Sequence, residues 1–214
     1  SYVANNLYGR YISYGHLQIL GKGRPITLHS SGYQAEGFDW NCFPGTTVIE
    51  LPFAELRSKV YNVDEFSGYE EMLLTDEAFA GGLTLGANGI FAMKLHGHAK
   101  YDDSHRANLS SFFFGDRILR LGSDISSSDT EHRSITTLFQ SRMDEDSSPV
   151  FINKRTVKSV EYFGTKHRNG IVLADAYGNS YFMPHKTKME IRCGWQTSPA
   201  QDTGIETGGY FAKA

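Results

Sequence analysis

Within the stretch from Phe79 to Gln140, four short runs follow one another: residues 90–95, 111–114, 117–121 and 135–139. Each is apolar or alternating, rich in aromatic and β-branched side chains, and divided from the next by Gly, Asp, Asn or Ser. Runs this short, with punctuation this regular, predict consecutive strands of an antiparallel sheet. The third run sets Arg117, Leu119 and Leu121 on one face against Ile118 and Arg120 on the other, so neither face is wholly apolar. A strand with a wet side is able to face a ligand.

The chain has 214 residues, 40% of them hydrophobic and 21% charged, enough to bury a large core in one all-β domain over residues 1–214. No apolar run approaches the length of a bilayer span. Met143 to Pro149 is acidic and Pro-terminated, and predicts a break between two sheets near residues 143–150 rather than between two domains. The chain opens on Ser1 and stops in an apolar, strand-like run from Tyr210 to Ala214, which reads as a domain cut from a longer protein.

Elsewhere the elements are shorter. Residues 7–20 read as two strand segments or one bulged strand, and residues 21–25 as a turn. Residues 53–60 carry weak helical periodicity and predict one short helix. Asn169-Gly170 and Tyr177-Gly178-Asn179 are hairpin signals, while residues 194–209 have the Gly, Thr, Ser and Gln composition of a loop.

The net charge of −3 conceals a split: residues 153–192 carry eight Lys and Arg against three acids, a local +5 on a remainder of −8. Such a segment is either a solvated sheet face or a landing site for a polyanion. Nucleic acid is disfavoured, because the whole chain is not basic and no recognition motif is present. Cys42 and Cys193 lie far apart, form no CxxC, and read as two isolated thiols.

Two constellations are candidates for binding. Trp40 and Asn41 stand just before the Pro44-Gly45 turn. An indole platform beside a two-way amide suits a sugar, and the same pair suits a core plug beside a turn residue. His96, His98 and His105, with Asp102 and Asp103, are the nearest approach to a metal set, far less specific than HExxH. His16 and His29 read as structural, and His167 and His185 as exposed.

In order and spacing, several motifs together resemble a known family: residues 37–41 with 44–47, then 79–82, 89–93, 111–114 with 121–125, and 136–140. They are similar to the central β domain of the chondroitin and hyaluronan lyases, polysaccharide lyase family 8, and most similar to the chondroitin sulfate ABC type. The resemblance runs through the Gly178-Asn179 hairpin to Gly208-Gly209-Tyr210-Phe211-Ala212. It implies an antiparallel β-supersandwich with at most one or two short helices, preceded by an α/α-toroid domain and followed by a smaller β domain. It implies a bacterial enzyme, secreted or periplasmic, that acts on an acidic polysaccharide without a cofactor. The reaction would be a β-elimination. A base removes the C5 proton of a uronic acid, a polar group neutralises its carboxylate, and an acid protonates the leaving oxygen.

In that family the His, Tyr and Arg that perform these steps belong to the helical domain. The ABC-type lyases add a glutamate from the loop after the paired glycines. The matching loop here, residues 83–88, holds no carboxylate, and Glu77 and Glu36 do not match the position. No catalytic residue is therefore carried over. Trp40, Asn41, Thr84 and Asn88 are the candidates for the substrate cleft. The alternative is a non-catalytic carbohydrate-binding or scaffolding sandwich.

Overall fold

A computed structural model describes residues 14–17, 19–21, 24–25, 36–56, 76–99, 101–143, 150–157, 161–163, 170–175, 178–184, 187–200 and 205–214. The first strands, β1 (Leu20–Gly21) and β2 (Arg24–Pro25), pair across the expected turn. Tyr14–Leu17, by contrast, is not a strand: Tyr14 C=O accepts from Thr47 N at 2.9 Å, and Leu17 N donates to Pro44 C=O at 2.9 Å. Of the region expected to be extended over residues 7–20, only Leu20 is seen in a ladder, and residues 1–13 lie outside the described residues. β3 (Thr47–Ile49) resumes after Gly45, whose φ is +83°. The expected helix over 53–60 is one 3-10 turn, Phe53–Leu56, which follows Pro52 and buries Leu56; the remainder lies outside the described residues.

Of the four runs expected as consecutive strands, three join one four-stranded sheet; the fourth does not, since residues 134–136 pair with β3, and the sheet's remaining strand comes from residues 80–85. β4 (Ala80–Leu85), β5 (Asn88–His96), β6 (Arg106–Phe114) and β7 (Arg117–Ser126) pair antiparallel in that order. Strand periodicity divides its side chains between two faces. On the inner face Met93, Leu95, Ala107 and Leu109 pack against Tyr14, Val48 and Leu56. On the outer face Leu83, Ile90, Phe112 and Leu119 stand opposite one another across all four strands, with Leu83 70% exposed. Arg120 points inward and is half-buried. Its Nη1 donates to Ser111 Oγ at 2.6 Å, and its Nη2 donates to the carbonyls of Gly15 and Gly45 at 2.7 and 2.8 Å.

The rest of the chain supplies β8 (Ser134–Thr136), which pairs with β3, then β9 (Gln140–Arg142), β10 (Phe151–Ile152), β11 (Arg155–Thr156) and β12 (Glu161–Phe163). It closes with β13 (Ile171–Ala174), β14 (Ser180–Met183), β15 (Met189–Pro199) and β16 (Glu206–Lys213). Two four-stranded sheets result, ordered β11-β10-β13-β14 and β12-β15-β16-β9. A second core of Phe139, Val150, Ile152, Leu173 and Ile191 gathers side chains from both sheets. Asn153 and Lys154 turn the chain from β10 to β11 with φ of 46° and 71°, the doubly positive pair of a two-residue hairpin turn.

One expectation lies outside the described residues and another is corrected. Asn169 is not described, and of the strands on either side of it β12 pairs with β15 and β13 with β10 and β14. Residues 194–199 and 206–209 are not a loop but the outer part of the β15–β16 ladder, in register from Arg192↔Lys213 to Pro199↔Glu206, while residues 201–204 lie outside the described residues. Gly208 and Gly209 serve close approach rather than turning: a Cβ on Gly209 would sit 2.6 Å from the Glu36 carbonyl oxygen. Among the described residues every strand pairing is antiparallel and the 3-10 turn is the sole helical segment, so the fold is an all-β supersandwich.

Candidate functional site

The segment from Gly37 to Gly45 is wedged against the β9–β16–β15 sheet. Gly37 has φ +78°, and a Cβ there would lie 2.5 Å from Gly209 N and 2.7 Å from the Gln196 carbonyl, so backbone meets backbone. Gly37 N donates to Thr207 Oγ1 at 2.8 Å. Phe38 and Trp40 turn inward and form a third core with Phe211. The Trp40 ring lies edge-on to Phe38 at 4.9 Å and to Phe43 at 5.8 Å, and the residue is 7% exposed. Its indole is used for packing.

Gln140, fully buried at the start of β9, holds this segment in place. Its Oε1 accepts from Asp39 N at 2.8 Å and from Gln196 Nε2 at 2.7 Å. Its Nε2 donates to the carbonyls of Asp39 and Cys42, each at 3.0 Å. The Asp39 carboxylate accepts from Asn41 N at 3.0 Å and from Lys213 Nζ at 3.1 Å. Burial acts to lower the Lys213 pKa, but the neighbouring Asp39 and Cys42 outweigh it and hold the ammonium above its ordinary value.

Asn41 is 6% exposed, and its Oδ1 has no hydrogen-bond partner among the described residues. It lines a cavity of about 500 Å³ together with Asp39, Glu50, Phe53, Arg192 and Lys213. A second hollow of about 850 Å³, lined by Arg133, Thr187, Lys188 and Glu190, shares Cys42, Glu50, Ile135, Arg192 and Lys213 with the first, so the two form one groove. Arg133 braces its rim, donating from Nη2 to Glu50 at 2.6 Å and from Nη1 to Glu190 at 3.2 Å, while Arg192 also pairs with Glu190. Partial burial would raise the Glu190 pKa, yet the two guanidinium groups bring it below the ordinary carboxylate value. A fixed carboxylate and fixed cations suit a groove to orienting a polar ligand. Lys213 and Glu190 are both shifted away from neutrality, so neither is poised to take up and release a proton there.

The other candidates fall elsewhere. Thr84 and Asn88 flank the exposed Gly86-Ala87 turn between β4 and β5 and line neither hollow. The loop expected over residues 83–88 is therefore a two-residue hairpin tip. Glu36 is exposed and Glu77 half-buried, and neither lines the groove.

The three histidines do not converge. His96 Nδ1 pairs with Asp76, and its Nε2 lies 3.0 Å from the Asp103 carbonyl. His105 is buried, 3.3 Å from Ser134 Oγ and stacked on Tyr14. Among the described residues no group of three His, Cys, Asp or Glu side chains is placed to hold a metal ion. His16 lies exposed against Phe43, and His29, His167 and His185 lie outside the described residues. Cys42 and Cys193 are not joined by a disulfide. The basic segment divides: Lys154 and Arg155 are exposed beside the β10–β11 turn and Lys188 and Arg192 line the groove, while Lys158, Lys166, Arg168 and Lys186 lie outside the described residues.

Sequence reasoning missed Gln140, Lys213 and the Arg133 bridge. Only Gln140 left a trace, as the polar residue closing the apolar run of 135–139.

The antiparallel all-β architecture defines a domain of the supersandwich class. Residues 1–210 match the super-sandwich domain of polysaccharide lyase family 8, and the chain belongs to that family. It is 44% identical, over 97% of its length and 20% of the relative's, to a chondroitin sulfate ABC exolyase of Bacteroides thetaiotaomicron. A chondroitin sulfate ABC exolyase of Proteus vulgaris is 45% identical over 85% of this chain and 18% of its own length. A chondroitin sulfate ABC endolyase of the same organism is 31% identical over the whole chain and 20% of its own length. The chain thus spans about a fifth of the length of the curated relatives it matches.

Proposed function

We propose that this chain is the β domain of a glycosaminoglycan lyase of the chondroitin sulfate type, forming one wall of the substrate cleft. The proton-moving groups of the β-elimination belong to a separate helical domain of the same polypeptide, and the enzyme works outside the cytoplasm. The observation that carries this reading is identity of 44% to a chondroitin sulfate lyase over 97% of the chain. The groove supports it: Lys188, Arg192 and Lys213 bring cations to a lining that an acidic polysaccharide would meet.

One observation favours a second reading, a carbohydrate-binding wall without any catalytic contribution: the hairpin tip at residues 83–88 carries no carboxylate. A single experiment addresses both. The 214-residue chain and the complete polypeptide that contains it are each incubated with chondroitin sulfate, and unsaturated product is followed by ultraviolet absorbance. The reading expects turnover only from the complete polypeptide. Turnover by the chain alone would overturn the assignment of the proton-moving groups elsewhere, and no turnover by either would leave the binding-wall reading.

A further inference from the structure

The chain has two tryptophans, Trp40 and Trp195, with opposite fates: the first is a core plug and the second is 62% exposed on β15. The exposed indole is built into its position. A Cβ on Gly208 would lie 2.4 Å from Cζ2, 2.8 Å from Cε2 and 3.1 Å from Nε1 of Trp195, so the ring rests over a glycine that leaves room for it. Tyr210, its cross-strand partner, supports it edge-on with ring centroids 5.2 Å apart and planes at 78°. One side of the indole is thus covered by the ladder and the opposite side is open.

The surroundings distinguish this ring from a docking surface for protein. The outer face of the β4–β7 sheet presents a continuous apolar row. Along the Trp195 face the next rung is Thr197↔Gly208 and the one beyond is Pro199↔Glu206, so the aromatic pair adjoins polar and small residues. A lone, rigid aromatic face beside polar groups matches a ligand that is itself apolar on one side and hydroxylated at its rim. A pyranose ring has that form: its axial C–H groups carry slight positive charge and meet the negative face of the indole.

We propose that Trp195, which with Gln196 and Thr197 lines the cavity of about 500 Å³, is a stacking platform for one pyranose ring of a saccharide bound along the groove. For its ligand class, a chondroitin-type oligosaccharide, the proposal rests on the reading given under Proposed function. Arg192 and Lys213 line the same cavity, but no Lys or Arg shares the rungs from Trp195 to Pro199, so the Trp195 contribution is one of ring contact and persists in added salt, unlike contact through exposed cations.

The test uses the 214-residue chain and acrylamide quenching of tryptophan fluorescence. Trp40 is buried, so the quenchable signal reports Trp195. Chondroitin sulfate oligosaccharides are expected to shield Trp195, in low and high salt alike. In calorimetric titrations Trp195→Ala is expected to lower affinity about tenfold, with Trp195→Phe in between. Circular dichroism of each variant verifies the fold. Shielding by neutral N-acetylglucosamine oligomers but not by chondroitin oligosaccharides would keep the platform and refute the shared reading of the substrate. Shielding by neither, or equal affinity of Trp195→Ala and the unmodified chain, would overturn the platform.

Discussion

Replacing Gln140 with methionine removes both polar atoms at nearly constant length, and so isolates the hydrogen bonds that hold the Gly37–Gly45 segment. Asp39 N and Cys42 C=O lose their side-chain partner, and so does Asp39 C=O, which keeps its 3.1 Å bond from Cys42 N. Gln196 Nε2 keeps its 2.7 Å bond to the Gly37 carbonyl, so it is not stranded. A buried polar group left unpaired costs about 1–3 kcal/mol, and neighbouring losses are not additive because water and small shifts compensate. The expected destabilisation is about 2–4 kcal/mol, large for a single substitution and a sizeable part of a typical domain's stability. Urea unfolding followed by circular dichroism and tryptophan fluorescence measures it. The adjacent residue supplies an internal contrast of opposite sign. Ser141 Oγ is buried without a partner among the described residues, so Ser141→Ala should be neutral or stabilise by up to about 1 kcal/mol. A loss below about 1 kcal/mol in Gln140→Met with an unchanged denaturant slope would refute the reasoning.

Two further outcomes are expected. Arg120→Met strips Ser111 Oγ and the Gly15 and Gly45 carbonyls of their charged donor and should cost about 2–4 kcal/mol in the same unfolding assay, whereas Arg120→Lys should recover part of it, since an ammonium cannot span all three acceptors. In the NMR pH titration His132 should have its midpoint above the ordinary 6.5, because its Nδ1 lies 2.8 Å from Asp129 Oδ2, and Asp129→Asn should return it toward that value. A raised folded-state pKa means that the pair's stabilising effect is fully present below 6.5 and fades as pH rises through the His132 midpoint.

Strands β5 to β7 were legible because each carries its own period-2 pattern and its partners are its sequence neighbours. β15 and β16 were hidden for the converse reason. Their glycines depress strand propensity, yet Gly208 makes room for an indole and Gly209 for a carbonyl, requirements set by residues distant in the chain. The Trp40-Asn41 dipeptide shows the limit most plainly. Two adjacent residues have opposite fates, one indole packed among phenylalanines and one amide left lining a cavity, and no pattern in the sequence separates them. Gln140 belongs to a structure that only the folded chain assembles, since its bonded partner Asp39 stands 101 positions away.

Those long spans bear on how the polypeptide matures on the ribosome. The Gly37–Gly45 segment emerges early, but its hydrogen-bonding partners include Gln140, Gln196, Thr207 and Lys213, the last 174 positions downstream. Until synthesis has passed Lys213, Phe38 and Trp40 lack the Phe211 side of their pocket and a lysine to pair with Asp39. Closure is therefore a late event, slowed by the distance the chain must bridge. A nascent chain halted within β16 would carry an early aromatic cluster still open to water.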